Sequence, residues 1–250
     1  MTLFLASVRD EAEAEIALFA RADIIDLKEP AHGALGAIDR DVTRSVVTSV
    51  AGRVAVSATI GDLAMQPEMV RDAVHEKAAC GVDYVKFGLF PEGDARRCLD
   101  MLRSVARSVP LIVVLFADRL PDFDAVAAVA AMGACGVMLD TANKQAGSLL
   151  AHLNLREIAR FLTHAKAHSL TVGLAGSLAA ADLPELLALA PDLLGFRGAL
   201  CATGRSASLD PVACAAIRAL IPRNEPAADT RIKARMPAAV HQALCSASKC

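Results

Sequence analysis

Eight short aliphatic runs recur along the first 220 residues, and each is followed by a stretch with helical periodicity. Such alternation is typical of repeated strand–helix units around a buried parallel sheet. The predicted strands lie at residues 2–8, 23–28, 53–59, 84–89, 110–118, 136–141, 170–177 and 193–200. An open doubly wound sheet usually stops at five or six strands, so eight units favour a closed TIM-type (β/α)8 barrel in a single domain.

The predicted helices follow the strands, and the pattern stops near residue 221. They lie at 11–20, 39–50, 67–80, 93–107, 121–132, in a stretch ending near 167, at 180–189 and at 210–220. We expect residues 1–221 to form the barrel. Residues 222–250 mix proline, alanine and charge without a clear strand. We interpret them as a C-terminal extension outside the barrel, partly disordered, with a short helix at 238–247.

The composition narrows the class of protein. Apolar residues make up 54% of the chain and the net charge is −2, so no basic surface for nucleic acid or membranes is expected. No apolar run reaches the ~20 residues of a membrane span, and we expect no signal peptide before the first strand. Seven scattered cysteines without a CxxC pair argue against a disulfide framework. We expect a cytoplasmic enzyme whose aliphatic helix faces are shared in a homo-oligomer.

Polar residues at the carboxyl ends of the strands are the candidates for chemistry, because TIM barrels carry their active sites there. The candidates are Asp26, Lys28, Ser57, Thr59, Lys86, Asp140, Lys144, Gly176, Ser177, Arg197 and Gly198. Neither a Ser–His–Asp order nor a His–carboxylate cluster assembles at these ends, and no loop carries GxGxxG. We therefore expect neither a metal nor a cofactor.

The lysines are the sharpest clue to the chemistry. Only seven of the 26 basic residues are lysines, yet Lys28, Lys86 and Lys144 all fall at strand ends or just beyond one. Arginine can supply positive charge there, but it cannot lose a proton near neutral pH. A primary amine can add to a carbonyl when burial or a neighbouring cation lowers its pKa from ~10.4. This favours imine chemistry on Lys28, with simple phosphate binding by the lysines as the alternative.

Two aspartates accompany these lysines. Asp26 and Lys28 are two residues apart on a strand, so both side chains face the same side. A buried carboxylate beside an imine can hold the iminium charge and relay protons, while ion pairing alone is the alternative. Asp140, at the end of the sixth strand, is a second candidate for proton relay or for binding a hydroxyl group.

The ends of strands seven and eight predict a phosphate site. They read GLAGS and GFRGA, and TIM barrels often bind phosphate in these two loops. The glycines, Gly176 and Gly198 among them, allow backbone N–H groups to approach an anion, and a following helix N-terminus adds a partial positive charge. Ser177 and Arg197 are the candidate side chains. Arg197 either makes a bidentate contact with the phosphate or points outward into the helix layer.

Several of these segments resemble a known family in the right order along the chain. They are ADIIDLKEP, GALGA, VSATIGD, DYVKFGL, VMLDTANK, LAGS and GFRGA. Together they are similar to the (5-formylfuran-3-yl)methyl phosphate synthase family, also called 4-(hydroxymethyl)-2-furancarboxaldehyde phosphate synthase. That family belongs to methanofuran biosynthesis, with relatives in methylotrophic bacteria. The resemblance covers residues 2–220 and departs from the family only in the first strand and in the loop after Arg197.

The resemblance implies a reaction and a set of roles. The family's lyases condense two molecules of glyceraldehyde 3-phosphate, with loss of one phosphate and two waters. By position in the motifs, Lys28 would form the Schiff base and Lys86 would accept the proton. Asp26, Asp140 and Lys144 would support them, with Lys144 either binding phosphate or acting as a second acid or base.

Two other functions stay open from the residues alone. One is an ordinary class I aldolase that acts on a single phosphorylated sugar. The other is a non-catalytic barrel that binds a phosphosugar and regulates a partner. All three functions take small phosphorylated sugars as ligands.

Overall fold

The chain forms a closed barrel of eight parallel strands. A computed structural model describes residues 1–119 and 123–222. The strands are β1 (Leu3–Val8), β2 (Ile24–Leu27), β3 (Ala55–Thr59), β4 (Tyr84–Gly88), β5 (Leu111–Phe116), β6 (Gly136–Asp140), β7 (Thr171–Leu174) and β8 (Leu193–Phe196). They pair in sequence order, and β8 closes the barrel on β1. The predicted (β/α)8 fold is confirmed.

Helices connect the strands around the outside of the barrel. They are α1 (Glu11–Phe19), α2 (Arg40–Val50), α3 (Pro67–Ala78), α4 (Ala95–Val105), α5 (Ala125–Met132), α6 (Leu149–His152), α7 (Leu155–Ala167), α8 (Leu183–Ala188) and α9 (Pro211–Leu220). The single helix predicted after β6 is two helices. Asn154 and Glu157 form a capping box that begins α7 and so separates it from α6.

All eight strands are shorter than predicted, and β7 and β8 differ most, by four residues each. β7 ends at Leu174 and β8 at Phe196, although the apolar pattern runs on to residues 177 and 200. Beyond these points the backbone bends, and Gly176 takes a positive φ of 104°. The predicted extension lies outside the described residues from 223 onward, as does its helix at 238–247. No helix within the described ranges is long and apolar enough to cross a membrane.

Aspartates fasten the backbone at both faces of the barrel. At the amino-terminal face, Asp23 accepts a hydrogen bond from Phe4 N–H, Asp83 from Val56 N–H and Asp192 from Val172 N–H, all at 2.8 Å. At the carboxyl-terminal face, Asp62 accepts from the backbone N–H groups of Ala34 and Leu35, and Asp118 from those of Ala142 and Asn143, all at 2.7 Å. The loops after β2 and β6, which border the predicted site, are therefore held by their neighbours.

The barrel interior is packed, so the site above it has a closed floor. Ile112, Val114, Met138 and Leu193 are buried together inside the barrel. Gly173 lies against this layer, and a Cβ atom there would come within 2.6 Å of Leu193 and 2.7 Å of Met138. Asp26, Lys86 and Asp140, polar side chains of the strands, are buried above this layer, toward the carboxyl ends.

Candidate active site

The deepest polar group of the site is an ion pair between β2 and β4. Asp26 and Lys86 are both buried, and Lys86 Nζ lies 2.7 Å from Asp26 Oδ1. Asp26 has Ser7 and Ser57 as its register partners on β1 and β3. Because partners in neighbouring strands face the same side, both hydroxyls donate to its carboxylate, at 2.9 and 2.6 Å. The carboxylate is thus fully held by three donors.

A second carboxylate lies above, at the end of β6. Asp140 is buried, and it accepts hydrogen bonds from the Lys144 amine and from Thr141 N–H, the latter at 2.8 Å. Lys28 Nζ lies 3.6 Å from Asp140 Oδ2 and makes no hydrogen bond to a described residue. Lys28, just past the end of β2, therefore has the least engaged amine of the three lysines.

The cations hold both carboxylates in their ionised form. Burial opposes ionisation of Asp26, but Lys86 and Lys28 outweigh it and hold the pKa of Asp26 below its usual range. Burial likewise opposes ionisation of Asp140. Lys144 and Lys28 overcome this effect and lower the pKa of Asp140 to about 2.

Burial acts in the opposite direction on the lysines. It lowers the pKa of Lys86 below the usual lysine range, against the attraction of Asp26, and the charge of Lys28 lowers it further. Burial also lowers the pKa of Lys144 to about 8, against the attraction of Asp140. These amines are therefore closer to losing a proton near neutral pH than an exposed lysine is.

A cavity of about 320 Å³ opens above these groups, within the range of ~300–1,000 Å³ typical of small-molecule sites. Its wall includes Ser7, Lys28, Asp140, Lys144 and the ends of β7 and β8. Asp26 and Lys86 do not line it and lie beneath. The site is thus layered, with one lysine–carboxylate pair at the wall and another below it. In the described ranges, no group of three His, Cys, Asp or Glu side chains is arranged to hold a metal.

The ends of β7 and β8 contribute backbone to the same cavity. Gly176, Ser177 and Gly198 all line it. The backbone N–H groups of Gly176 and Ser177 donate to no described residue. Ser177 has a φ of 49°, in the left-handed region that a serine rarely adopts. Its hydroxyl donates to the Lys144 carbonyl at 3.3 Å, so it ties two loops of the mouth together.

The structure contradicts the prediction that the Arg197 side chain binds phosphate. Its guanidinium points into the helix layer and forms a buried ion pair with Glu13 of α1. Its other N–H groups donate to the carbonyls of Ser7, Arg205 and Ala207 at 2.7–3.2 Å. All five donors of a guanidinium are thereby used, so none remains for an anion. Arg197 is a structural clamp that holds the loop after β8.

This clamp gives the first prediction. Glu13→Gln should lower the free energy of unfolding by about 3–5 kcal/mol, because it leaves the buried Arg197 cation without its counter-charge. Urea unfolding followed by circular dichroism measures the change. The matched control is Glu15→Gln, two residues further along α1, whose exposed ion pair with Arg53 can be replaced by contacts with water. Equal losses in both variants would contradict the clamp.

Two further predicted binding residues play supporting roles. Ser57 donates to Asp26 and does not line the cavity. Thr59 is fully buried and donates to the carbonyls of Gly36, at 2.9 Å, and Leu27, at 3.3 Å. Direct contact of either hydroxyl with a substrate is therefore wrong for this arrangement. Ser57 orients Asp26, and Thr59 fixes the loop after β2.

Two polar side chains of the cavity wall escaped the sequence prediction. Ser7 lines the cavity and donates to Asp26, so it links the upper and lower layers of the site. The sequence does carry a signal for Ser7. It lies one residue before the end of β1, at a position where the alternation of side chains along the strand makes it face inward. Arg205 also lines the cavity, but it lies in the loop between β8 and α9. Arg205 could not be predicted in this way, because a loop residue so far beyond the end of a strand has no periodic pattern of side-chain directions.

Fold and site together define a (β/α)8-barrel protein with paired lysines and carboxylates at the carboxyl-terminal face of the barrel. The chain belongs to the 4-HFC-P synthase family, which it matches over residues 4–218. A provisionally named (5-formylfuran-3-yl)methyl phosphate synthase of Methylorubrum extorquens is 40% identical over 209 residues, 82% of this chain and 86% of its own. The (5-formylfuran-3-yl)methyl phosphate synthase of Methanopyrus kandleri is 37% identical, over 80% of this chain and 90% of its own. The family resemblance is confirmed.

Solved structures are similar in fold alone. Phosphoribosyl anthranilate isomerase from Thermus thermophilus superposes with a TM-score of 0.63 at 18% identity, over 88% of this chain and 98% of that one. A 3-hexulose-6-phosphate synthase superposes with a TM-score of 0.59 at 17% identity, over 89% of this chain and 100% of that one. Both similarities confirm the barrel fold, and neither carries information on the chemistry of this chain.

Proposed function

We propose that this protein condenses two glyceraldehyde 3-phosphate molecules into (5-formylfuran-3-yl)methyl phosphate through a Schiff base on Lys28. One phosphate and two waters leave in the net reaction. The observation that carries the proposal is the position of the Lys28 amine and its lack of hydrogen-bond partners. It lines the cavity, makes no hydrogen bond to a described residue, and lies between the pairs Lys86–Asp26 and Lys144–Asp140. Relatives named for this product at 32–40% identity support it.

The first half of the reaction makes one triose phosphate a nucleophile. The Lys28 nitrogen adds to the aldehyde carbon, and loss of water gives an iminium ion. Its positive charge acidifies the adjacent C2–H bond. Lys86 in its neutral form takes that proton, which its lowered pKa favours, and the C–H electron pair becomes the enamine. Asp26 then pairs with the protonated Lys86.

The second half joins the two trioses and forms the ring. The enamine expels the C3 phosphate, and the C3 carbon of the resulting enol attacks the C2 carbonyl of the second triose phosphate in its keto form, whose alkoxide then takes a proton. The primary hydroxyl of the second triose closes the ring on the C2 carbonyl of the first, two waters leave to give the furan, and a further water releases the product from Lys28. Asp140 and Lys144 face the cavity together, so they are placed to exchange protons with hydroxyl groups that leave as water.

Incubation with glyceraldehyde 3-phosphate alone separates this proposal from the aldolase alternative. The synthase generates a furan chromophore and free phosphate in equal amounts. An aldolase gives reversible carbon–carbon bond formation without a chromophore. A non-catalytic barrel binds the triose phosphate without turnover, and Lys28→Ala would change only its affinity. The relatives also support a place in methanofuran biosynthesis.

The protonation of Lys144 gives a second prediction, on anion binding. If its ammonium group binds phosphate, inhibition by sulfate should weaken by up to about tenfold between pH 7 and pH 9. A lysine with a pKa of about 8 is charged below that pH and neutral above it, whereas sulfate keeps its charge throughout. Competitive inhibition constants across this range measure the effect.

Lys144→Arg is the matched variant, because its charge persists over the whole range. It should flatten the pH dependence of sulfate inhibition. A flat profile in the unmodified protein would contradict phosphate binding by Lys144 and favour its role as an acid or base.

A further inference from the structure

The loop between β8 and α9 is fixed on both sides of Arg205. Cys201 and Leu209 form an isolated antiparallel bridge that closes the loop. Inside it, Arg197 donates to the carbonyl of Arg205 itself, at 2.8 Å, and to that of Ala207, at 2.7 Å. Arg9 donates to the Ser206 carbonyl at 3.1 Å. The backbone that carries Arg205 is therefore held in place before any ligand arrives.

The Arg205 side chain leaves this loop toward the cavity and keeps most of its donors. It lines the cavity together with Gly176, Ser177 and Gly198. Nη2 donates to the Gly33 carbonyl across the mouth at 3.1 Å, and the remaining N–H groups donate to no described residue. A half-buried guanidinium with unused donors is a strong site for an anion.

The surroundings of Arg205 favour an anion with more than one charge. The Arg205 guanidinium is near enough to contribute to the lowered pKa of Lys144, and the charge of Asp140 acts on it in turn. Four cationic side chains, Lys28, Lys86, Lys144 and Arg205, meet the two carboxylates of Asp26 and Asp140 in the site, and the more distant carboxylates of Asp62 and Glu29 act on Arg205 from outside the cavity wall. When the four cations and two carboxylates in the site are all charged, the site has two positive charges to be matched by a ligand.

We propose that Arg205, and not Arg197, is the side chain that recognises the phosphate group of the substrate. This rests on the proposed function in that the ligand is a sugar phosphate. The fork of Arg205 binds two phosphate oxygens, and the N–H groups of Gly176 and Ser177 bind from the facing loop. Arg197 is a positioning residue that fixes the loop in which Arg205 lies.

Binding of inorganic phosphate to the full chain tests the proposal without any need for turnover. Isothermal titration calorimetry should show phosphate affinity weakened about tenfold to a hundredfold in Arg205→Gln, the effect of losing a charge-assisted bidentate contact. Arg205→Lys keeps the positive charge but loses the two-pronged guanidinium contact. Its phosphate affinity should lie between that of the unmodified protein and that of Arg205→Gln. The matched control is Arg119→Gln, which changes an arginine after β5 at the same face of the barrel and should leave the affinity unchanged.

A second readout separates recognition from a general loss of structure. In Arg205→Gln, reduction with borohydride should still trap unphosphorylated D-glyceraldehyde on the protein at the unmodified rate. Trapping of glyceraldehyde 3-phosphate should need at least about tenfold more substrate. Equal losses for both aldehydes would assign Arg205 a structural role and overturn the proposal.

The outcomes also separate this proposal from the proposed function. Equal phosphate affinity in the unmodified protein and Arg205→Gln would overturn the role of Arg205, whether or not furan forms. Phosphate binding that depends on Arg205, in a protein that makes no furan from glyceraldehyde 3-phosphate, would support the role of Arg205. The same result would reject the condensation.

Discussion

Lys28→Arg should abolish furan formation from glyceraldehyde 3-phosphate, with turnover reduced by at least about 10⁴-fold, the scale seen when a covalent nucleophile is removed. Arginine keeps the positive charge near Asp140, so the electrostatic balance of the mouth changes little. What it removes is the amine that forms the imine, because a guanidinium does not lose its proton near neutral pH. Absorbance of the furan product measures the loss.

Lys166→Arg is the control for this variant. Lys166 lies on α7 in the outer layer and donates to the Ala190 carbonyl at 2.6 Å, a contact that arginine can reproduce. It should keep full turnover. Appreciable furan formation by Lys28→Arg would mean that another amine carries the reaction, with Lys144 at the cavity wall as the next candidate.

Removal of the base should stop proton transfer while the imine still forms. Lys86→Met should lower turnover by about 10²- to 10⁴-fold, the usual contribution of a general base. Because this change alone leaves the buried carboxylate of Asp26 without its counter-charge, the double variant Lys86→Met/Asp26→Asn serves as the partner that restores neutrality.

The C2 proton of the bound triose phosphate reports this step directly. In D₂O, the unmodified protein should exchange that proton for deuterium, which proton NMR detects as a loss of signal. Both Lys86 variants should show adducts on Lys28 and little exchange. Rapid exchange in the double variant would contradict the role of Lys86 as the base.

The barrel could be predicted from the chain because a parallel sheet buried on both faces has a plain signature. Each strand reads as an aliphatic run, and each helix as a period of 3.6 residues. The positions of Asp26, Lys28, Lys86 and Asp140 followed from the same pattern, since the carboxyl ends of the strands meet at one face. Strand ends were less certain, because the apolar runs of β7 and β8 continue into backbone that bends.

The sequence pattern does not determine the direction in which a side chain past the end of a strand points. Arg197 follows the glycine-rich end of β8, where an arginine beside phosphate is reasonable, but Glu13 of α1 draws it into the helix layer. That partner lies 184 residues away in sequence, and only the closed barrel brings the two together. Arg205 reaches the cavity for a related reason, since the loop that Arg197 holds returns toward the mouth.

The two layers of the site could be predicted only in part. The spacing of Asp26 and Lys28 suggested that they pair, yet Asp26 holds Lys86 and Lys28 lies nearer to Asp140. The register between strands decides this, because it places Ser7 and Ser57 on either side of Asp26 and leaves room for one further donor. The pairing leaves the Lys28 amine with the fewest partners, which is the property that a nucleophile needs.

Trapping of the imine tests the central claim most directly. The full chain is incubated with glyceraldehyde 3-phosphate, reduced with borohydride and mapped by peptide mass spectrometry. We predict a secondary amine adduct with the mass of one reduced triose phosphate on Lys28 and on no other lysine. An adduct on Lys86 or Lys144 with none on Lys28, or furan formation with no adduct at all, would contradict the account.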